Sequence, residues 1–130
     1  MRFYAVGNMY LSSIQQGIQA AHCVGEMCLY IFGNKLVSQW LHTHKTLICL
    51  NGGNNQSLNE FYELIRYQKQ FPVAKFHEDE QSMGGMLTCV GIIVPEEIYG
   101  ADLEDPHLLD RLGQDGYDIA VALKRMPLAR

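Results

Sequence analysis

Apolar and polar positions switch between two periods along the chain, and each switch marks an element. Phe3 to Val6 is short, apolar and aromatic-rich, as a first strand would be, with Leu11 as its far limit. Ser12 and Ser13 stand three residues ahead of Gln15 and Gln16, the spacing of a capping box, and predict a helix start. Ile14, Ile18, Ala21, Val24, Cys28 and Ile31 then recur at spacings of three and four, which predicts one apolar helical face. Gly17 and Gly25 each weaken that helix by about 1 kcal/mol relative to Ala, so they point to close packing. Gly33-Asn34 ends it, and Lys35 to Leu41 predicts a short second helix carrying the only tryptophan, Trp40.

Thr46 to Leu50 reads as a buried strand, stopped by the turn-rich Asn51-Gly52-Gly53-Asn54-Asn55. Ser57 followed by Glu60 predicts a second capping box, opening a helix with Leu58, Phe61, Leu64 and Ile65 on one face and Phe71-Pro72 at its end. Val73 to His77 and Leu87 to Val94 read as strands around a polar, Gly-containing loop; the second is apolar throughout and stops at Pro95. Asp105-Pro106 predicts a helix start, with the helix running to about Gly113. Tyr117, Ile119, Val121 and Leu123 alternate as a closing strand would, with a helix still open. The order predicts an α/β fold: one domain over residues 1–130, a single mixed sheet of four to five strands covered by helices.

Composition narrows the function classes. The chain has 130 residues, 48% hydrophobic and 18% charged, which is globular composition. Its formal charge of −4 argues against dedicated DNA binding, because a field of that sign repels a phosphate backbone. A small anion needs only two or three well-placed arginines and stays possible. Cys23, Cys28, Cys49 and Cys89 form no C-x-x-C, and three of them lie in apolar runs, as in a reduced, intracellular protein. No basic-then-apolar leader opens the chain, and its longest apolar run falls far short of the roughly 20 residues of a membrane span.

Candidate chemistry is sparse. His22 and Glu26 share a helix face, but no third ligand accompanies them. His42 and His44 flank a helix end, and His77-Glu78-Asp79-Glu80 reads as a solvated acidic loop. Asn51 to Asn55 could cradle a phosphate ahead of a helix, or simply turn the chain. Gly84-Gly85 allows either a close ligand approach or a hairpin turn. Arg66, Arg111, Lys124, Arg125 and Arg130 are the available cations for an anion. No G-x-S-x-G occurs, and no Cys–His spacing supports a nucleophile.

Two resemblances add to this reading. Ser13-Ile14-Gln15-Gln16-Gly17-Ile18-Gln19-Ala20-Ala21-His22 resembles the first helix of type II peptidyl-tRNA hydrolases. Aligned on His22, it puts Gln19 on that family's Gln and Gln15 where its catalytic Lys would stand. Thr88 to Pro95 is similar to the family's last long strand, while Asp79 to Gly85 replaces the D-A-G-x-T segment before it. Gln supplies neither the charge nor the proton of a Lys, so the resemblance implies the scaffold more than the hydrolysis. The second resemblance covers most of the chain. Tyr10-Leu11-Ser12-Ser13-Ile14-Gln15 leading into Gly17 to His22, Gly84-Gly85-Met86 to Pro95, and Leu123-Lys124-Arg125 to Leu128-Ala129 are similar to the first Thoeris anti-defence family of phages.

That second resemblance implies a non-enzymatic sponge in the cytoplasm of an infected bacterium. Such proteins bind cyclic ADP-ribose isomers made by TIR-domain defence proteins without cleaving them. Some also hold cyclic di- or trinucleotides. They assemble as dimers or hexamers, with signal pockets between subunits; for this chain no cofactor, metal, DNA or membrane is expected. A nucleotide of this kind needs a cation for pyrophosphate, an aromatic or Met surface for adenine, and carboxylates or amides for ribose. The sequence offers Arg111 and Arg125 for the first, Phe76 or Met83 for the second and Asp105 for the third, with Gly84 and Gly85 permitting close approach. The first helix, with Gly17, Ala21 and Gly25, is then the expected subunit interface.

Overall fold

The computed structural model describes residues 1–31, 33–78 and 84–130. Strands β1 (Arg2–Gly7), β2 (Thr46–Asn51), β3 (Val73–His77) and β4 (Leu87–Val94) form one mixed sheet in the order β2-β1-β4-β3. β1 and β2 pair in parallel, while β4 lies antiparallel to both β1 and β3. Side chains alternate across this sheet, so two cores form. Phe3, Ala5, Cys89 and Ile93 face one side, and Tyr4, Val6, Val90, Ile92 and Val94 face the other. β4 is buried on both faces, which explains its unbroken apolar run.

The first face is covered by α1 (Ser13–Tyr30) and α2 (Lys35–Gln39), which continues as a π-helical turn over Trp40–His44. Trp40 packs on Phe3 with ring centroids 5.0 Å apart, and its indole N–H donates to the Thr46 carbonyl at 2.7 Å. The second face carries α3 (Asn55–Gln68), the short α4 (Glu96–Tyr99) and α5 (Leu108–Arg125). Gly91 lets α1 come close: a Cβ there would lie 2.6 Å from the Phe3 ring and 2.8 Å from the Cys23 sulfur.

α1 reverses the usual disposition. An apolar helical face ordinarily packs on a core. Here the core side carries Gln16, Gln19, Ala20, Cys23 and Met27, and Ile14 and Ile18 point outward, 77% and 49% exposed. The buried amides are satisfied: the Gln16 side chain donates to the Asn8 carbonyl, and Gln19 accepts from the Thr88 hydroxyl at 2.9 Å. The capping box forms as predicted, between Ser12 and Gln15.

The closing strand over Tyr117–Leu123 does not form, and the sheet has four strands. Those residues belong to α5, which continues past Gly113, where φ is +72° and the helix kinks. Gly116, Ile119, Ala120 and Leu123 recur at helical spacing and are the buried ones, so that period prevailed over the alternation. α3 starts earlier than the sequence predicts, with Asn54 as its N-cap, accepting from Ser57 N–H. Ser57 instead donates its hydroxyl to the Gly52 carbonyl at 2.7 Å. α5 begins at Leu108, three residues past Asp105, and no strand extends from Gly7 toward Leu11.

Candidate functional site

β1 and β2 end at Gly7 and Asn51, at the same end of the sheet. The crevice beyond the carboxyl ends of strands is where ligands bind in open α/β sheets. Three segments meet beside Asn51. The Asn51–Asn54 turn leads into α3. The last turn of α5 brings Arg125 alongside. Residues 127–129 then pair with the free edge of β2, through Asn51 N–H to Pro127 O at 2.8 Å and Ala129 N–H to Cys49 O at 3.0 Å.

Between them lies an open cavity of about 620 Å³, within the few hundred to a thousand Å³ common for ligand pockets. Phe61, Leu64, Ala122 and Met126 make its walls apolar; Arg125, Glu60, Ser57 and Asn51 supply polar groups. Arg125 is exposed and enters no ion pair among the described residues. The arrangement can stack or cover a flat apolar ring, pair one anionic group with Arg125, and accept hydroxyl hydrogen bonds at Glu60. Two amides of the turn are engaged within the chain. Gly52 N–H donates to the Gly7 carbonyl, and Gly53 N–H donates to the Asn51 side chain. These bonds hold the turn rigidly against β1, and a Cβ at Gly52 would collide with Val6 and Leu58.

The sequence-predicted site residues fall in three places. Phe76, Gly84 and Gly85 belong to the β3–β4 hairpin on the α1 side of the sheet. The Phe76 ring is stacked on His22, centroids 4.4 Å apart and 6° from parallel. Gly84 and Gly85 have φ of +63° and +73°, the left-handed region that glycine adopts without a steric cost, and the Gly85 carbonyl lies 3.1 Å from His77 Nδ1. Met83 lies outside the described residues, as do Asp79 to Ser82. Asp105 and Arg111 come together, but with each other, 2.6 Å apart. Their segment follows β4, which leaves the sheet at the amino end of β1, far from Gly7. Hydrogen bonding from His107 N–H and then from Arg111 lowers the Asp105 pKa from its ordinary value. Arg125 alone reaches the cavity beside Asn51.

A buried polar cluster adjoins the hairpin. Gln19, 3% exposed, donates to the Glu78 carboxylate at 2.9 Å and accepts from Thr88, whose hydroxyl also lies 3.1 Å from the Phe76 carbonyl. Sequence reasoning reached Gln19 and Thr88 only through the two resemblances. It missed the Glu60, Phe61 and Met126 walls altogether, because a strand over Tyr117–Leu123 would not carry Arg125 and Met126 to the Asn51 turn. Contact with Cys23 and burial hold the Cys89 thiol well above its ordinary pKa, and burial raises that of Cys49. Among the described residues no three His, Cys, Asp or Glu side chains converge as metal ligands would, and no helix is long and apolar enough to cross a membrane. No protein-family profile matches the chain, and no curated protein matches it.

Proposed function

We propose that the protein is a non-catalytic binder of cyclic ADP-ribose-type signalling nucleotides, and that it inhibits Thoeris defence in an infected bacterial host by holding the signal intact. The observation that carries this reading is the cavity beside Asn51. Its apolar walls suit adenine, Arg125 suits one phosphate, and Glu60 with Ser57 suits ribose hydroxyls. The position corresponding to a hydrolytic Lys supports the non-catalytic half of the proposal. Gln15 accepts from Ser12 N–H at 2.9 Å in the capping box, so its side chain closes the helix end rather than facing a substrate.

The test is retention without conversion. The protein is mixed with a panel of cyclic ADP-ribose isomers and cyclic di- and trinucleotides, freed of unbound ligand, and heat-denatured. Release of an unchanged cyclic ADP-ribose isomer is the expected result. Release of a cleaved product makes the protein an enzyme, and no retention of any isomer removes the proposal.

A second reading is a scaffold shared with type II peptidyl-tRNA hydrolases, favoured by one observation. Gln19 and Thr88, which that resemblance aligns separately, are hydrogen-bonded to each other beside Glu78. Turnover of peptidyl-tRNA by the purified protein would promote this reading over the first.

A further inference from the structure

We propose that the amino end of β1 carries a binding site for a small hydroxylated phosphate monoester that bears no base. This inference stands apart from the nucleotide reading, because Arg2 and Gly7 close opposite ends of β1, about 17 Å apart. β1 is an inner strand, between β2 and β4. On the face it turns to α3 and α5, Val6 and Tyr4 are core residues and Arg2 is the next position along. A half-buried arginine there ordinarily pairs with a carboxylate, yet Arg2 enters no ion pair among the described residues. Its guanidinium lies over the Tyr99 ring, 4.1 Å from the centroid, with Nη1 3.5 Å from the Tyr4 hydroxyl. Stacking holds the guanidinium by its face and leaves its N–H edge for a bidentate anion.

Arg2 lines an open cavity of about 570 Å³ in which donors from several segments converge. The π-helical turn over Trp40–His44 ends at Lys45 with φ of +58°, a left-handed conformation uncommon outside glycine, and brings Thr43 and His44 to the rim. Such turns recur at functional sites. The Met1 ammonium, which can only donate, bonds to His44 Nδ1 at 2.7 Å, so the imidazole proton stands on Nε2 as a further donor. Thr46 adds a hydroxyl from the start of β2. A chain of net charge −4 thus gathers a guanidinium, an ammonium, an imidazole and two hydroxyls around one space.

The donors select the ligand class. They outnumber what the two oxygens of a carboxylate take up, and match the three terminal oxygens of a phosphate. Glu96 is the one carboxylate on the rim among the described residues. It repels phosphate but accepts from hydroxyls, which favours a hydroxylated ester over the bare ion. Arg2 already covers one face of Tyr99, and no other Phe, Tyr or Trp ring lines the cavity, so a base finds no platform.

Isothermal titration calorimetry of the full chain tests this, with glycerol 3-phosphate, inorganic phosphate and glycerol each raised to about 10 mM. The expected result is saturable binding of both phosphates, tighter for the ester, and none of glycerol. Arg2→Gln should weaken both by at least about 10-fold, whereas Arg66→Gln, which removes an exposed cation on α3, should change neither. Glu96→Gln replaces the exposed rim carboxylate by a neutral amide, a weaker acceptor. It should tighten inorganic phosphate and shrink the preference for the ester. If Arg2→Gln does not fold, Glu96→Gln decides. No saturable binding of either phosphate, full affinity in folded Arg2→Gln, or an ester preference that Glu96→Gln leaves unchanged overturns the proposal.

Discussion

Gly91 lacks a side chain because Phe3 and Cys23 occupy the space one would need. With a Cβ 2.6 Å from an aromatic ring and 2.8 Å from sulfur, Gly91→Ala must push α1 off the sheet or bend β4. Overpacking of this kind costs about 1–3 kcal/mol. The expected result is a lower urea midpoint with an unchanged slope. Gln19 is the opposite case, a polar side chain that belongs in the core because both ends of its amide are paired. Gln19→Leu leaves Glu78 and Thr88 without that amide, and should destabilise by about 1–3 kcal/mol in the same assay. Neither constraint is written in composition. A buried glutamine and an exposed one look alike in sequence until the partner strand is placed.

Among the elements, legibility followed how many surfaces each one buries. β3 and β4 have the predicted limits, since an apolar run closed by Pro95 has few alternatives. The start of α1 was legible from its capping box, and Ser12→Ala should cost about 1 kcal/mol, read as earlier thermal unfolding. Its orientation was not legible, because the helix has an apolar stripe on the side away from the core. α5 misled for another reason: its residues satisfy a period of two and a helical period together, and only the facing α3 and α4 distinguish them. The start of α5 also carries a pH dependence. Asp105 accepts from His107 N–H and pairs with Arg111, and its pKa in the folded chain lies below the ordinary 3.8. Its contribution is therefore complete above that ordinary value and is lost as pH falls through the lower, folded one. Melting temperatures measured down that range should fall less steeply for Asp105→Ala than for the unaltered chain.

At the scale of the molecule, the sheet separates what the sequence reading had joined. Arg111 and Arg125 lie on the same helix, yet α5 runs from the amino end of β1 to the carboxyl end of β2, and the two arginines lie near its opposite ends. Fourteen residues of regular helix would span about 21 Å, and the kink at Gly113 does not bring the two ends back together. Arg111 is paired with Asp105, while Arg125 faces the cavity beside Asn51. The two should therefore fail differently. Arg125→Ala is expected to weaken retention of a cyclic ADP-ribose isomer by roughly 10-fold or more, since a charge-assisted hydrogen bond to phosphate is lost, with little change in melting temperature. Arg111→Ala is expected to loosen the start of α5 and leave retention intact. Sites this far apart contribute independently, so the double variant should show each effect undiminished. Equal loss of binding in both single variants would mean that the ligand bridges the ends of α5 across two copies of the chain, and would move the site from the groove to an interface.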